Sequence, residues 1–159
     1  MTHAPAQPLT EGIGLVRLDH VGIAVPDLDA AVDHYERSFG MRCVHREDNL
    51  EQGVREAMLS VGPTPDTGCL QLLAPLTPDS PIAAFLGRSG PGVQQVACVV
   101  RDVTAAADTL RARGVRLLHP TPRTGTAGSR INFVHPKDAG GILLELVELP
   151  ADAPAPAAV

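Results

Sequence analysis

Alternating apolar and polar residues mark the start of the chain's first regular segment, over residues 17–25, with apolar side chains at Val21, Ile23 and Val25. A period of two predicts a β-strand with one buried face. The period then changes to that of an amphipathic helix, with apolar residues at Leu28, Ala31, Val32, Tyr35 and Phe39. Asp27 is placed to cap this helix and Gly40 to end it. Further strands are predicted near 41–46, 54–61 and 68–74.

The same order of elements returns in the second half of the chain. The segment that begins DHVGIAVPDLDAA at Asp19 aligns with the segment that begins QQVACVVRDVTAA at Gln94. The alignment places His20 on Gln95 and, with one residue dropped before Gly40, Gln71 on Glu145. Agreement in strand, cap, helix and turn predicts an internal duplication. The second set comprises a strand at 94–100, a helix that Asp102 caps and that runs to Arg113, and strands near 115–118, 130–134 and 142–148.

These patterns predict an α+β fold in which two tandem βαβββ units form one curved mixed sheet. A single domain is expected over residues 15–150, with halves at about 15–76 and 92–149 and a short helix, SPIAAFLGR, between them. Residues 1–14 and the Ala/Pro-rich residues 151–159 are expected to be flexible extensions.

Charge and composition exclude some classes of function. The net charge is −5, aromatic residues make up 3% of the chain and there is no Trp, which argues against a nucleic-acid-binding protein. Neither a signal peptide nor an apolar run long enough to span a membrane is recognised, and the three cysteines form no C-x-x-C pair. A cytoplasmic protein without a membrane partner is therefore expected.

Four polar residues that the duplication pairs are candidate metal ligands: His20, Gln71, Gln95 and Glu145. Each lies in a predicted strand with apolar neighbours, where a carboxylate or amide is costly unless it is paired or bound to a cation. An imidazole suits zinc, cobalt, iron or manganese, whereas amide and carboxylate oxygens suit magnesium, manganese or calcium. The alternative is that these are polar positions on a half-exposed face of the sheet.

Glu56 is a candidate general base, because it shares one strand face with Met58 and Ser60 and would point inward with them. The alternative is an exposed strand glutamate. His45 and His119 are equivalent by the repeat and are expected to end their strands and point to solvent.

Longer motifs resemble those of the vicinal-oxygen-chelate superfamily and, within it, the methylmalonyl-CoA epimerase family. The first and last strands are shared across the superfamily, whereas EQGVREAML, LAPLTPDSPIA and SRINFVHPKDAGG are more specific to the epimerases. The resemblance covers the chain from about Leu18 to Leu149. It implies the vicinal-oxygen-chelate fold, an acyl-CoA substrate and a homodimer.

The resemblance also implies a divalent metal ion, Co²⁺ by preference, with Mn²⁺, Zn²⁺ or Mg²⁺ as alternatives. His20, Gln71 and Glu145 match the family's ligand positions, whereas Gln95 stands where the family usually has a second histidine. Glu56 and Glu145 match the two positions that remove and return the C2 proton during interconversion of (2R)- and (2S)-methylmalonyl-CoA, a reaction of propionate metabolism.

Two other functions remain open at this stage. The Gln95 departure is compatible with a diverged isomerase or lyase acting on another chelating acyl substrate. A metal-free binding protein of the same fold is the third reading, although two inward glutamates suit a passive pocket poorly. For the CoA moiety, charge alone points to Arg55, Arg130 and Lys137.

Overall fold

The computed structural model describes residues 12–153. Most of the two predicted flexible extensions, residues 1–11 and 154–159, lies outside the described residues. Within residues 12–153, no helix combines the length and the apolar character needed to cross a membrane.

The predicted elements occur in the predicted order, except for one strand in the second half. The first half consists of β1 (Leu15–Ala24), α1 (Leu28–Phe39), β2 (Arg42–Asn49), β3 (Val54–Ser60) and β4 (Cys69–Pro75). The bridging helix α2 (Pro81–Ser89) follows. The second half consists of β5 (Gly92–Val100), α3 (Val103–Ala112), β6 (Arg123–Thr124), β7 (Arg130–Val134) and β8 (Leu143–Glu148).

All eight strands belong to one mixed sheet in the order β2-β3-β4-β1-β5-β8-β7-β6. The order is symmetric about the antiparallel β1–β5 pair, and each of these central strands has a parallel neighbour from its own half, β4 for β1 and β8 for β5. The predicted fold class, two βαβββ units in one curved mixed sheet, is confirmed.

The largest departure from the predicted elements is in the second half. The strand predicted near 115–118 is reduced to one isolated bridge, Leu117 to Val134, and the edge of the sheet is instead the short β6. Two prolines, Pro120 and Pro122, follow this segment. Proline has no N–H to donate to a ladder, so regular pairing cannot continue through them.

Helices α1 and α3 cover the outer face of the sheet, whereas α2 packs against Val54 and Leu73 on the inner face, the rest of which is left as a cradle. Helix α1 packs over one cluster of buried residues and α3 over another. Asp27 accepts a hydrogen bond from the N–H of Ala30 at 3.0 Å and Asp102 from that of Ala105 at 2.9 Å, so the predicted caps are present. Side chains alternate along a strand, and the polar candidates therefore lie on the cradle side, opposite α1 and α3.

Candidate functional site

The four candidate ligands meet at the centre of the cradle, because the register of the central strands brings them side by side. Gly22 in β1 lies opposite Gln71 of β4 on one side and Gln95 of β5 on the other. A Cβ atom on Gly22 would lie 2.5 Å from Cγ of Gln95. The absence of a side chain at Gly22 therefore leaves the space through which Gln95 reaches the centre.

Short distances join the polar atoms of this cluster. The Glu145 Oε2 atom lies 3.0 Å from Nε2 of His20 and accepts a hydrogen bond from Nε2 of Gln95 at 2.8 Å. The same Gln95 nitrogen donates to Oε1 of Gln71 at 3.1 Å and lies 3.4 Å from Nε2 of His20. All four side chains are buried, so the half-exposed alternative is wrong for each of them.

This donor set fits a divalent cation. Ligand atoms about 2.1 Å from one ion lie about 3 to 3.4 Å from each other, the edge of an octahedron or a tetrahedron. A half-turn of the Gln95 carboxamide exchanges its nitrogen for its oxygen and supplies the fourth donor. Within residues 12–153, no cluster of three or more His, Cys, Asp or Glu side chains is arranged to hold a metal ion, so a site here depends on the two amide oxygens.

His20 is held from both ring nitrogens. Its Nδ1 atom lies 2.8 Å from Oδ2 of Asp19, and Oδ1 of Asp19 pairs with Arg17 at 3.0 Å. Burial opposes the charged imidazole, but the hydrogen bonds to Asp19 and Glu145 outweigh it and raise the pKa of His20 to about 9. The contact with Asp19 orients the ring so that Nε2 faces the cluster, the usual arrangement around a metal-binding histidine.

Glu56 lies beside the cluster and is only 2% exposed, so the exposed-strand alternative is also wrong for this residue. Its Oε2 atom accepts a hydrogen bond from Nε2 of Gln71 at 3.0 Å, and its Oε1 atom accepts one from the Thr126 hydroxyl at 2.9 Å. Burial first, then the neighbouring Glu47 and Glu145, raise the pKa of Glu56 to about 8 against the opposing effect of Thr126. A buried carboxyl group with this environment can both accept and donate a proton near neutral pH.

Sequence reasoning missed two residues that touch Glu56. Thr126 lies in the loop between β6 and β7 and also accepts a hydrogen bond from Gln71 at 2.8 Å. Glu47 lies opposite Glu56 in the β2–β3 ladder. The loop carried no periodic signal, but the alternation of His45, Glu47 and Asn49 could have indicated a polar face on a longer β2.

The prediction that His45 and His119 end strands is wrong for both residues. Strand β2 continues to Asn49, so His45 lies within it and contacts Glu47. His119 lies outside any regular strand, with its ring at 6.0 Å from that of Phe133 in an edge-on contact.

Two cavities flank the central cluster. One of about 280 Å³ is mainly apolar and includes Gln95 in its wall, together with Val54, Leu73, Ile82, Ile131, Phe133 and Leu143. The other, about 460 Å³, includes His20, Glu145, His45 and Met58. A substrate in either cavity would meet the polar cluster at its inner end.

The cationic candidates for CoA binding lie elsewhere. Arg55 is on the strand face opposite Glu56 and pairs with Asp48 at 3.0 Å. Arg130 pairs with Glu148 at 3.0 Å and donates to Thr104. Lys137 lies in a short turn beside His135. None of the three lines a described cavity, whereas Arg123 lines the smaller one and Arg17 the larger.

Comparison with known proteins shows similarity along both halves of the chain. The family model described as Glyoxalase/Bleomycin resistance protein/Dioxygenase superfamily matches residues 17–146. The crystal structure of methylmalonyl-CoA epimerase from Mycobacterium tuberculosis is 53% identical, with a TM-score of 0.83 over 89% of this chain and 93% of that chain.

The names of two further relatives state a ligand or a substrate. A methylmalonyl-CoA epimerase in complex with methylmalonyl-CoA and NH4+ is 48% identical, with a TM-score of 0.81 over 86% of this chain and 96% of that chain. The ethylmalonyl-CoA/methylmalonyl-CoA epimerase of Cereibacter sphaeroides is 38% identical over 84% of this chain and 98% of that protein.

Proposed function

The chain belongs to the Glyoxalase/Bleomycin resistance protein/Dioxygenase superfamily, and we propose that its cradle catalyses the epimerase reaction for which its relatives are named. The protein is an isomerase that interconverts (2R)- and (2S)-methylmalonyl-CoA. The observation that carries this function is the buried Glu56, hydrogen-bonded to Gln71 at the edge of a cluster that contains a second carboxylate, Glu145. The relatives favour it over the diverged isomerase and the passive binding protein.

Inversion at C2 requires one group to remove a proton and another to return a proton on the opposite face. Glu56 comes from β3 of the first half and Glu145 from β8 of the second half. We assign proton removal and return to these two carboxyl groups. Thr126 and Gln71 fix both oxygens of Glu56, and fixing the base in advance lowers the cost of reaching the transition state.

His20, Gln71, Gln95 and Glu145 would hold a divalent ion, for which Co²⁺ is the first candidate and Mn²⁺, Zn²⁺ and Mg²⁺ are alternatives. Such an ion supplies positive charge that stabilises the negative charge developing on the substrate oxygens. Glu145 contributes a carboxylate to the four candidate ligands, and carboxylate oxygens are suitable ligands for such an ion. Burial of the four side chains excludes water that would weaken this interaction.

The test is deuterium incorporation at C2 of methylmalonyl-CoA in D2O, first with chelator-treated protein and then after addition of Co²⁺. Metal-dependent incorporation with loss of optical activity is the expected result. Incorporation without a metal would leave the epimerase in place and remove the metal assignment. No incorporation with any divalent ion would contradict the epimerase function.

A homodimer is the second part of the proposal. Exposed apolar side chains at Leu15, Val16 and Leu18 follow one another along β1, and clustered exposed apolar residues are typical of protein interfaces. Light scattering after size-exclusion chromatography is expected to give twice the chain mass of 16.6 kDa. A single-chain mass would contradict the dimer.

A cytoplasmic location is also proposed. Cys43, Cys69 and Cys98 are all free thiols in the structure, as expected in a reducing compartment. Fractionation of the source cells is expected to place the protein with cytoplasmic markers, and recovery with an exported fraction would contradict this.

A further inference from the structure

A second carboxyl group lies directly beside the base. The β2–β3 ladder pairs Glu47 with Glu56, so both side chains lie on the cradle side of adjacent strands, and their carboxyl groups lie next to each other. Two neighbouring carboxylates repel each other unless a proton lies on one of them. A proton that Glu56 takes up can therefore be passed to Glu47 across this contact.

The hydrogen-bonded chain continues from Glu47 towards the solvent. The Oε2 atom of Glu47 contacts Nε2 of His45 and accepts a hydrogen bond from the N–H of Ala127 at 3.0 Å. Burial tends to raise the pKa of Glu47, but the hydrogen-bonding contacts with His45 and Ala127 outweigh it and lower this pKa. Exposure increases along the chain, from 2% for Glu56 to 26% for the Glu47 side chain and 37% for that of His45.

Two charged residues on the outer face of β2 pair with other side chains and not with Glu56, Glu47 or His45. Arg46 pairs with Asp29, and Asp48 with Arg55. His45 lines the cavity of about 460 Å³ that also contains His20 and Glu145. Its ring therefore stands between the buried carboxyl pair and an open part of the cradle.

We propose that Glu47 and His45 form a proton path between Glu56 and the solvent. The inference rests on the proposed role of Glu56 as the base. The proton taken from C2 leaves its electron pair on the substrate and protonates Glu56. It then passes to the carboxylate of Glu47 and on to Nε2 of His45, which accepts it in the tautomer that carries its hydrogen on Nδ1, while Nδ1 releases that hydrogen to water as a proton. No group is oxidised or reduced, and Glu56 returns to the ionised form.

The path is tested with methylmalonyl-CoA deuterated at C2, in H2O and with the metal-loaded protein. We would measure kcat, kcat/KM and the deuterium that remains in recovered substrate, for the wild type and for Glu47→Gln. Glutamine keeps the shape and an acceptor for the Ala127 N–H but cannot pass a proton. Loss of the path is expected to lower kcat about tenfold, with little change in kcat/KM, because resetting Glu56 follows product release.

Two further readouts separate proton transfer from a structural role. Retained deuterium is expected to rise in Glu47→Gln, because the label stays on Glu56 long enough to return to the substrate. Added imidazole, a small diffusible proton carrier, is expected to restore kcat in Glu47→Gln and in His45→Gln. Asp48→Asn removes a carboxylate from the same strand on its outer face and is expected to match the wild type.

Equal losses in kcat and kcat/KM without a response to imidazole would show that Glu47 only positions Glu56, and would overturn the path. Wild-type kinetics and label loss in Glu47→Gln would overturn it as well. Melting temperatures of all variants show whether each is folded. Failure of the epimerase function itself is distinguishable, because the wild type would then lose no deuterium.

Discussion

The two halves of the molecule share a plan but differ in what they contribute to the site. Their inner strands supply equivalent side chains, His20 with Gln95 and Gln71 with Glu145, at matching positions of the sheet. Their outer strands differ. Met58 lies opposite Gln71 as Phe133 lies opposite Glu145, so the counterpart of the buried Glu56 is the apolar Ile131.

The edge strands of the two halves, β2 and β6, also differ. Strand β2 has eight residues and carries His45 and Glu47, whereas β6 has two residues and leads into the loop that holds Thr126. That loop crosses to the first half, where Thr126 binds Glu56 and the Ala127 N–H binds Glu47. Duplication therefore accounts for the symmetric ligand positions, and later divergence of the outer strands accounts for a base on one side only.

The largest expected effect comes from removing the base that only the first half carries. Glu56→Gln is expected to lower kcat for C2 exchange by about a hundredfold or more, since a positioned general base contributes on that scale. Glutamine is nearly isosteric, so the melting temperature should stay close to that of the wild type. Near-wild-type exchange in this variant would show that another group removes the proton; Asp48→Asn is the control for loss of one carboxylate.

The next largest effect is expected from giving β5 the histidine that β1 carries at the equivalent position. Gln95→His gives both halves an imidazole at equivalent positions and is expected to tighten Co²⁺ binding about tenfold, because imidazole is the better ligand for this ion. Isothermal titration calorimetry measures the affinity, and the added metal should raise the melting temperature further than in the wild type. Gln94→His adds an imidazole one residue away as the control. Equal affinities for wild type and Gln95→His would mean that Gln95 does not face the ion.

Substitution of Thr126, in the loop that crosses between the halves, is expected to have a smaller effect on catalysis. Thr126→Val keeps the side-chain shape but removes the hydrogen bonds to Glu56 and Gln71, and kcat is expected to fall about tenfold with KM little changed. Thr126→Ser keeps the hydroxyl and should retain most of the activity. Thr104→Val removes a hydroxyl outside the cradle and serves as the matched control. If Thr126→Ser were as impaired as Thr126→Val, the hydroxyl would not be the group that matters.

The smallest expected effect concerns a feature in which the halves remain equivalent. Asp27 and Asp102 cap α1 and α3 with the same geometry, so Asp27→Ala and Asp102→Ala should each lower the free energy of unfolding by about 1 kcal/mol. Urea denaturation of the two variants measures this. A clear inequality would show that one helix contributes more to stability than its counterpart, and activity should change little in either variant.

Much of the fold could be predicted because its signals are local. Alternation in β1, the helical period after Asp27 and the stop at Gly40 all act within a few residues. One wrong prediction concerns a segment that nearby prolines interrupt, and the other a strand end that non-local pairing decides. Residues 115–118 carry an apolar pattern but lie before two prolines, and His45 was assigned to a strand end although pairing with β3 extends β2 to Asn49.

The sequence by itself determined the duplicated βαβββ plan, the helix caps and the four paired candidates in the cradle, because polar residues within apolar strands mark an inward face and the repeat aligns them. Only the tertiary structure decided which other groups meet there. Thr126 contacts Gln71 across 55 positions and Glu56 across 70, and Glu47 contacts Ala127 across 80. Contacts at such separations depend on the curvature and register of the whole sheet, for which no short stretch of sequence carries a signal.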